Sequence, residues 1–418
     1  MKIKTKNISL AQALNKKIPK QKIKKPNWLF SLLVRILSIG ELNKAKFTFN
    51  KSAKKFFKEP CLILMNHSCF LDLKIASKII FPKRHFIVST TDAFVGKNWL
   101  MRQIGCIPTQ KFTTTLSLIN DMNYCLNTLK TSVLLYPEAG YSFDGRTTEI
   151  PKRLGVLVKK LNVPLVSIIT DGAFNYQPLF NNLRFRKSKV TAEVKYLATK
   201  EEVKQLSAQE ISQLIIKEFS FDAFKSQLEN KVIINEDNRA EGIERILYKC
   251  PHCFSEGTIK GEKAKITCSK CGATYLLTEL GELKGENVET KFNKVTDWYD
   301  FERQCAKQEI LDGKVNIELD VDLKIIADYK ALYSVGSGKL VQNENGLTLF
   351  DETGNELFFQ SATSTYSLNV DFFWYEIGDV ICIGNTERLY YCFPKTNFPV
   401  AKSRLIAEEL YKIKTQQN

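Results

Sequence analysis

Histidine is scarce in this chain of 418 residues, which holds only His67, His85 and His252. Imidazole is the one side chain whose ordinary charge change falls near neutral pH, so a histidine base must be one of these three. No signal-peptide pattern opens the chain, and the apolar run from Trp28 to Ile39 is too short to span a bilayer. Eleven cysteines without an export signal point to a reducing, intracellular setting. Acidic residues are nearly missing from the first 60 positions, where two Glu face sixteen Lys or Arg, so that segment carries most of the net charge of +16.

What is present is ordinary globular material, 44% hydrophobic and 25% charged, in a length that predicts two or three domains. A basic segment attracts any polyanion, nucleic acid included, but here it adjoins the Trp28 to Ile39 run. On a helix Ser31, Arg35 and Ser38 form one narrow polar stripe, while Trp28, Leu29, Phe30, Leu32, Leu33, Ile36 and Leu37 cover the rest. With Lys20, Lys22, Lys24 and Lys25 beside it, such a helix suits an anionic membrane surface, each nearby cation contributing roughly 1 kcal/mol. The alternative is a helix that simply packs on the domain behind it. Residues 1–45 are thus expected to be a basic, amphipathic membrane-association segment.

From Cys61 to about 200, short β-rich runs alternate with helical stretches, which predicts an α/β domain with a largely parallel sheet. The predicted strands are 61–65, 85–88, 133–136, 164–169 and 190–197, and the helices 71–80, 114–130 and 152–161. Ile211, Leu214, Ile215 and Phe219 at helical spacing close this domain, set at 46–245. In such sheets chemistry sits beyond strand carboxyl ends, and both Asn66-His67-Ser68-Cys69-Phe70-Leu71-Asp72 and Tyr136-Pro137-Glu138-Ala139-Gly140-Tyr141-Ser142 fall there. Asp72, five residues beyond His67 across a strand-to-helix turn, is placed to hold one imidazole nitrogen. The other nitrogen is then left to take a proton from an attacking hydroxyl. His85 has no partner pattern and reads as structural.

These blocks, in this order, resemble the lysophosphatidate-type glycerolipid acyltransferases over roughly residues 28–200. The first block is the apolar strand running into Asn66-His67 and on to Asp72. Gly105-Cys106-Ile107-Pro108-Thr109-Gln110-Lys111 is similar to the second, with Lys111 in place of the usual arginine. The third block of the family, Phe-Pro-Glu-Gly-Thr-Arg-Ser, meets Tyr136 to Ser142, where its arginine is missing and its glycine has moved by one position. Asp144-Gly145-Arg146, the run Pro151 to Gly155, and Val163-Pro164-Leu165 follow in order.

The resemblance implies that His67 is the base, that Asp72 orients it, and that Lys111 with the Glu138 loop, including Gly140, binds the acceptor's glycerol phosphate. Arg146 or Lys152 is the candidate replacement for the lost cation. Lys111 meets phosphate only as a point charge, so headgroup selectivity is looser than with arginine. The implied reaction moves a fatty acyl group from an acyl thioester, acyl-CoA or acyl-carrier protein, to the free hydroxyl of lysophosphatidate. It gives phosphatidate for phospholipid biosynthesis at the cytosolic face of a membrane, and needs no catalytic metal. Another lysophospholipid or a non-glycerolipid acceptor stays open, as does a non-catalytic membrane adaptor.

Cys250-Pro251-His252-Cys253 and Cys268-Ser269-Lys270-Cys271 form two knuckles separated by fourteen residues, the spacing of a structural four-thiolate zinc site, so 246–285 is read as a zinc ribbon. Lysines there are offset by glutamates, and no nucleic-acid stripe results. The last region, 290–418, is β-rich and ends in a helix over 401–414. Turns are expected at Gly336-Ser337-Gly338, at Asn343 to Gly346 and at Glu352 to Asn355. That order of elements resembles a pleckstrin-homology-like barrel, with a protein partner or regulation as its expected role. Its aromatics, Trp298, Tyr299, Phe301 and Phe372 to Tyr375, are read as core before surface.

Overall fold

A computed structural model describes residues 2–18, 22–110 and 115–416. Seven strands form the sheet of the α/β region, in the order Thr48–Phe49, Thr191–Ala198, Leu165–Asp171, Leu62–Met65, Ser132–Leu135, His85–Thr90 and Cys106–Thr109. The last five run parallel, and only the pairing of Leu165–Asp171 with Thr191–Ala198 is antiparallel. Leu62 to Met65 are buried without interruption, as a strand covered on both faces requires. The five predicted strands stand within two residues of their expected ends. Cys106–Thr109, read beforehand only as a motif, is the edge strand next to His85–Thr90.

Helix Leu71–Ile80 begins inside the first motif and buries Leu71, Ile75, Ala76, Ile79 and Ile80. Helix Ala208–Glu218 opens on a capping box, Ser207 with Glu210, and buries Ile211 and Ile215. The four-cysteine region is a four-stranded antiparallel sheet over Ile259–Glu262, Lys265–Cys268, Thr274–Leu277 and Leu283–Gly285. Helix Val295–Leu311, which the periodicity did not announce, buries Trp298 and Tyr299, and the Trp298 indole donates to the Lys249 carbonyl at 2.9 Å.

The carboxyl-terminal sheet is an antiparallel arrangement in the order Glu356–Ser361, Gly346–Asp351, Leu332–Asn343, Asn316–Ile325, Leu389–Pro394, Gly378–Gly384, Asn369–Trp374. Helix Val400–Gln416 follows it. Turns stand at 343–346 and 352–355 as expected. Gly336-Ser337-Gly338 is not a turn: it lies inside the strand Leu332–Asn343, opposite a register shift at Leu323/Lys324, with Gly336 at φ +118°. Those glycines serve a bulge, which a turn-residue pattern does not distinguish from a reversal. Phe372 and Trp374 are core, whereas Phe373 is exposed.

The regions are not strung out as separate beads. One continuous core joins Phe143, Phe174 and Phe180 of the α/β region to Tyr275 of the cysteine module and to Leu323, Phe372 and Leu405 beyond it. The first residues are tied in as well, since strand Thr5–Asn7 pairs in parallel with Leu332 to Ser334. Helix Trp28–Leu37, by contrast, has no buried residue. No helix among the described residues is long and apolar enough to cross a membrane.

Candidate active site

Strands Leu62–Met65 and Ser132–Leu135 are parallel neighbours, so the turns that follow them emerge at the same edge of the sheet. Asn66 locks the first turn. Its amide donates to the Thr170 carbonyl at 3.0 Å and accepts from Thr170 N at 2.8 Å, joining it to the end of the adjacent strand. His67 follows with Nδ1 2.9 Å from Asp72 Oδ2. That same oxygen accepts the backbone N–H groups of Ser68 at 2.7 Å and Cys69 at 3.1 Å, so the carboxylate fixes both the turn and the ring. Asp72 is fully buried, while the His67 side chain keeps about 20% of its surface exposed.

The loop after Tyr136 grips the His67 peptide from both sides. His67 N–H donates to Glu138 Oε1 at 3.1 Å, and Ser142 N–H donates to the His67 carbonyl at 3.0 Å. Glu138 also accepts from Thr148 N at 3.0 Å. Burial pushes its carboxyl up to about 7, against the two backbone donors that favour the charged form. Glu138 thus holds the His67 backbone.

Two tyrosines complete the setting, a role that their place in the third motif does not predict. The imidazole is sandwiched between Tyr136 and Tyr141, each with ring centroids 4.0 Å away. Tyr141 stands where the resembling family carries its third-block arginine, and an aromatic face therefore meets the imidazole there. Its signal in the sequence was the mismatch itself. Ala139 adopts φ +54°, the left-handed conformation, at the position where that block has glycine.

The remaining candidates lie at different removes. Gly140 lines a small cavity with Tyr141, Phe143, Asp371 and Arg404. Arg146 is drawn away: Nη1 and Nη2 clasp the two Asp300 oxygens at 2.7 Å each, and Nε bonds Asp144 at 2.7 Å. Lys152 is exposed, its carbonyl accepting from Ser212 Oγ. Lys111 lies outside the described residues. His85 has a buried ring that desolvation brings down to about 4, which leaves it neutral at pH 7.

In the cysteine module the four thiol sulfurs of Cys250, Cys253, Cys268 and Cys271 lie within 4.8 Å of one another. The Cys250–Cys271 and Cys253–Cys268 sulfurs are 3.7 Å apart. A tetrahedron with zinc–sulfur bonds of about 2.3 Å has edges of about 3.8 Å, so the donor set fits a zinc ion closed off from substrate. His252 is no part of it, its Nε2 lying 2.6 Å from the Tyr275 hydroxyl.

Residues 44–171 match the family model described as Acyltransferase, which spans the histidine turn and the Glu138 loop. That match supports acyl transfer in general terms. No curated protein matches the chain. Among solved structures, the 1-acyl-sn-glycerophosphate (LPA) acyltransferase PlsC from Thermotoga maritima is similar at 14% identity and a TM-score of 0.36, over 45% of this chain and 78% of that one.

Proposed function

We propose that the protein transfers a fatty acyl group from an acyl thioester, acyl-CoA or acyl-carrier protein, to the free hydroxyl of a lysophospholipid, with lysophosphatidate as the acceptor and phosphatidate as the product. The observation that carries this reading is the His67–Asp72 pair at the strand ends, inside the stretch that matches the acyltransferase family. Asp72 holds Nδ1, which leaves Nε2 to take the proton of the acceptor hydroxyl as its oxygen attacks the thioester carbonyl. The tetrahedral intermediate collapses to the ester, and the departing sulfur recovers the proton from His67. Atoms balance as alcohol plus thioester giving ester plus thiol.

In this reading the chain works as a peripheral protein on the cytosolic face of a membrane. Helix Trp28–Leu37 turns Trp28, Leu29, Leu33, Ile36 and Leu37 outward, and the exposed Trp99 ring packs on Phe30 beside it. The exposed Phe70 next to Tyr141 places a further apolar side chain beside the base. Residues 1–45 are then the membrane-association segment, 46–245 the acyltransferase domain, 246–285 a zinc ribbon and 290–418 a pleckstrin-homology-like domain. Four consecutive strands, three more and a closing helix support the last assignment. Its role is to bind a protein partner, and nucleic acid is not a partner.

A second acceptor class, another lysophospholipid or a non-glycerolipid alcohol, is favoured by Tyr141 over the base and by the engagement of Arg146 with Asp144 and Asp300. Purified protein in mixed micelles with lysophosphatidate and either donor, followed by thiol release and lipid product, tests the reading. His67→Ala is expected to lower the rate by about 10²–10⁴-fold. Product unaffected by His67→Ala, or no product with any acceptor of a lysolipid panel, would sink it and leave the non-catalytic adaptor.

A further inference from the structure

Behind the catalytic loop, between residues 143–149, helix Val295–Leu311 and helix Val400–Gln416, lies an open polar cavity of about 220 Å³. Its carboxylates are already paired. Asp144 and Asp300 hold Arg146, Glu149 faces Lys412 at 3.7 Å, and Glu408 holds Arg303 and Arg404, each at 2.8 Å. Its donors are not matched in the same way. Arg404 is 4% exposed, and its guanidinium makes one hydrogen bond among the described residues, from Nε to Glu408 Oε1 at 2.8 Å. The ring of Phe143 lies 4.4 Å from its central carbon. Nη1 and Nη2, a planar fork of four N–H groups, have no acceptor among the described residues. The hydroxyl of Tyr299, on the same wall, has none among them either.

The Arg404 fork and the Tyr299 hydroxyl therefore face the cavity and its solvent, and a guanidinium fork matches the paired oxygens of an oxyanion better than single waters. We propose that this cavity is an oxyanion site for a phosphate-bearing ligand, with Arg404 as the binding fork and Tyr299, Arg303 and Lys412 around it. The wall is formally neutral, so recognition is local to the fork and not a property of a basic patch. Thr148 on the same wall donates to Glu138, which in turn receives the His67 N–H. An oxyanion here sits one hydrogen-bonded residue behind the loop that positions the base. Two sources share this chemistry, the phosphate of a lipid headgroup and a soluble phosphorylated compound. The site stands on the cavity and not on the acyl-transfer reading.

Calorimetric titration of the full chain with inorganic phosphate and with glycerol 3-phosphate, at constant ionic strength, is the test. Wild-type protein is expected to bind both. Arg404→Gln should weaken binding at least about tenfold and Tyr299→Phe about threefold, as the loss of charged and neutral hydrogen bonds predicts. Tyr299→Phe removes a single oxygen, so it decides the matter if Arg404→Gln does not fold. No binding to wild type overturns the proposal, and so does equal affinity in the folded variants, which means an adventitious ion only. Inorganic phosphate competing with lysophosphatidate assigns the site to the headgroup, whereas a change in kcat at saturating lipid assigns it to a soluble ligand. If the enzyme is inert, the titrations alone decide.

Discussion

Two helices of this protein reverse the usual relation between polarity and burial. Trp28–Leu37 is almost wholly apolar and has no buried residue, with Leu37 79% exposed. The serines of its polar stripe turn the other way: Ser31 bonds back to the Asn27 carbonyl, and Ser38 is buried against the Val34 carbonyl. Val400–Gln416 is rich in charge yet buries Ser403, Arg404, Glu408 and Glu409 beside Leu405, Ile406 and Leu410. The lesson is that a helix goes where its side chains find partners. The inner helix has Arg303 and Ser367 to answer its carboxylates. The outer one, apart from the Trp99 ring on Phe30, leaves Trp28, Leu29, Leu33, Ile36 and Leu37 without apolar cover among the described residues, the feature on which the proposed membrane contact rests.

The comparison breaks most easily at Glu408. Burial works to raise this carboxyl, but Arg404 and Arg303 overcome it and hold it down at about 2, below its ordinary 4.5. Glu408→Ala leaves the buried Arg404 without its carboxylate and the half-buried Arg303 with Glu409 alone, and is expected to cost about 4 kcal/mol in denaturant unfolding. Because the folded value is depressed, the wild-type contribution is present above pH 4.5 and disappears as pH falls from there towards 2.

Glu138, beside the inner helix, should behave with the opposite sign. Its carboxyl is raised from 4.5 to about 7 by burial, so ionising it opposes folding, and stability should fall by about 3 kcal/mol as pH rises across that window. In Glu138→Gln that slope should be gone. An unchanged slope in the variant would mean that the carboxyl is not buried as described. At the outer helix, Leu33→Asp with Leu37→Asp should leave the unfolding free energy within about 0.5 kcal/mol of wild type. Sedimentation with anionic vesicles should weaken by about thirtyfold, and a large loss of stability with unchanged vesicle binding would place the helix inside the fold instead. The smallest effect is expected from Ala139→Gly, which relieves a left-handed alanine and should stabilise by about 1 kcal/mol in the same unfolding assay.

Much of the α/β region was legible because its strands are short, apolar and separated by helices of clear period. The pairing in the histidine turn was legible because His67 and Asp72 are five residues apart, and local geometry alone brings them to 2.9 Å. The setting of that pair was not. Tyr136 and Tyr141 reach the imidazole only because the loop folds back over it, and Arg404 comes from more than 250 residues downstream. A glycine pair such as Gly336 and Gly338 reads the same whether it makes a turn or a bulge, and only the opposing strand decides.

The sequence by itself determined the short-range features: the parallel strands, the His67–Asp72 spacing, the two cysteine knuckles and the basic amino-terminal segment. Each depends on neighbours within a few residues or on a repeat period. Tertiary structure alone decided that Thr5–Asn7 joins the carboxyl-terminal sheet, that Arg146 is committed to Asp300, and that a charged helix forms the wall behind the Glu138 loop. Those contacts join residues far apart in the chain, and their energies come from burial and pairing that exist only once the core has closed.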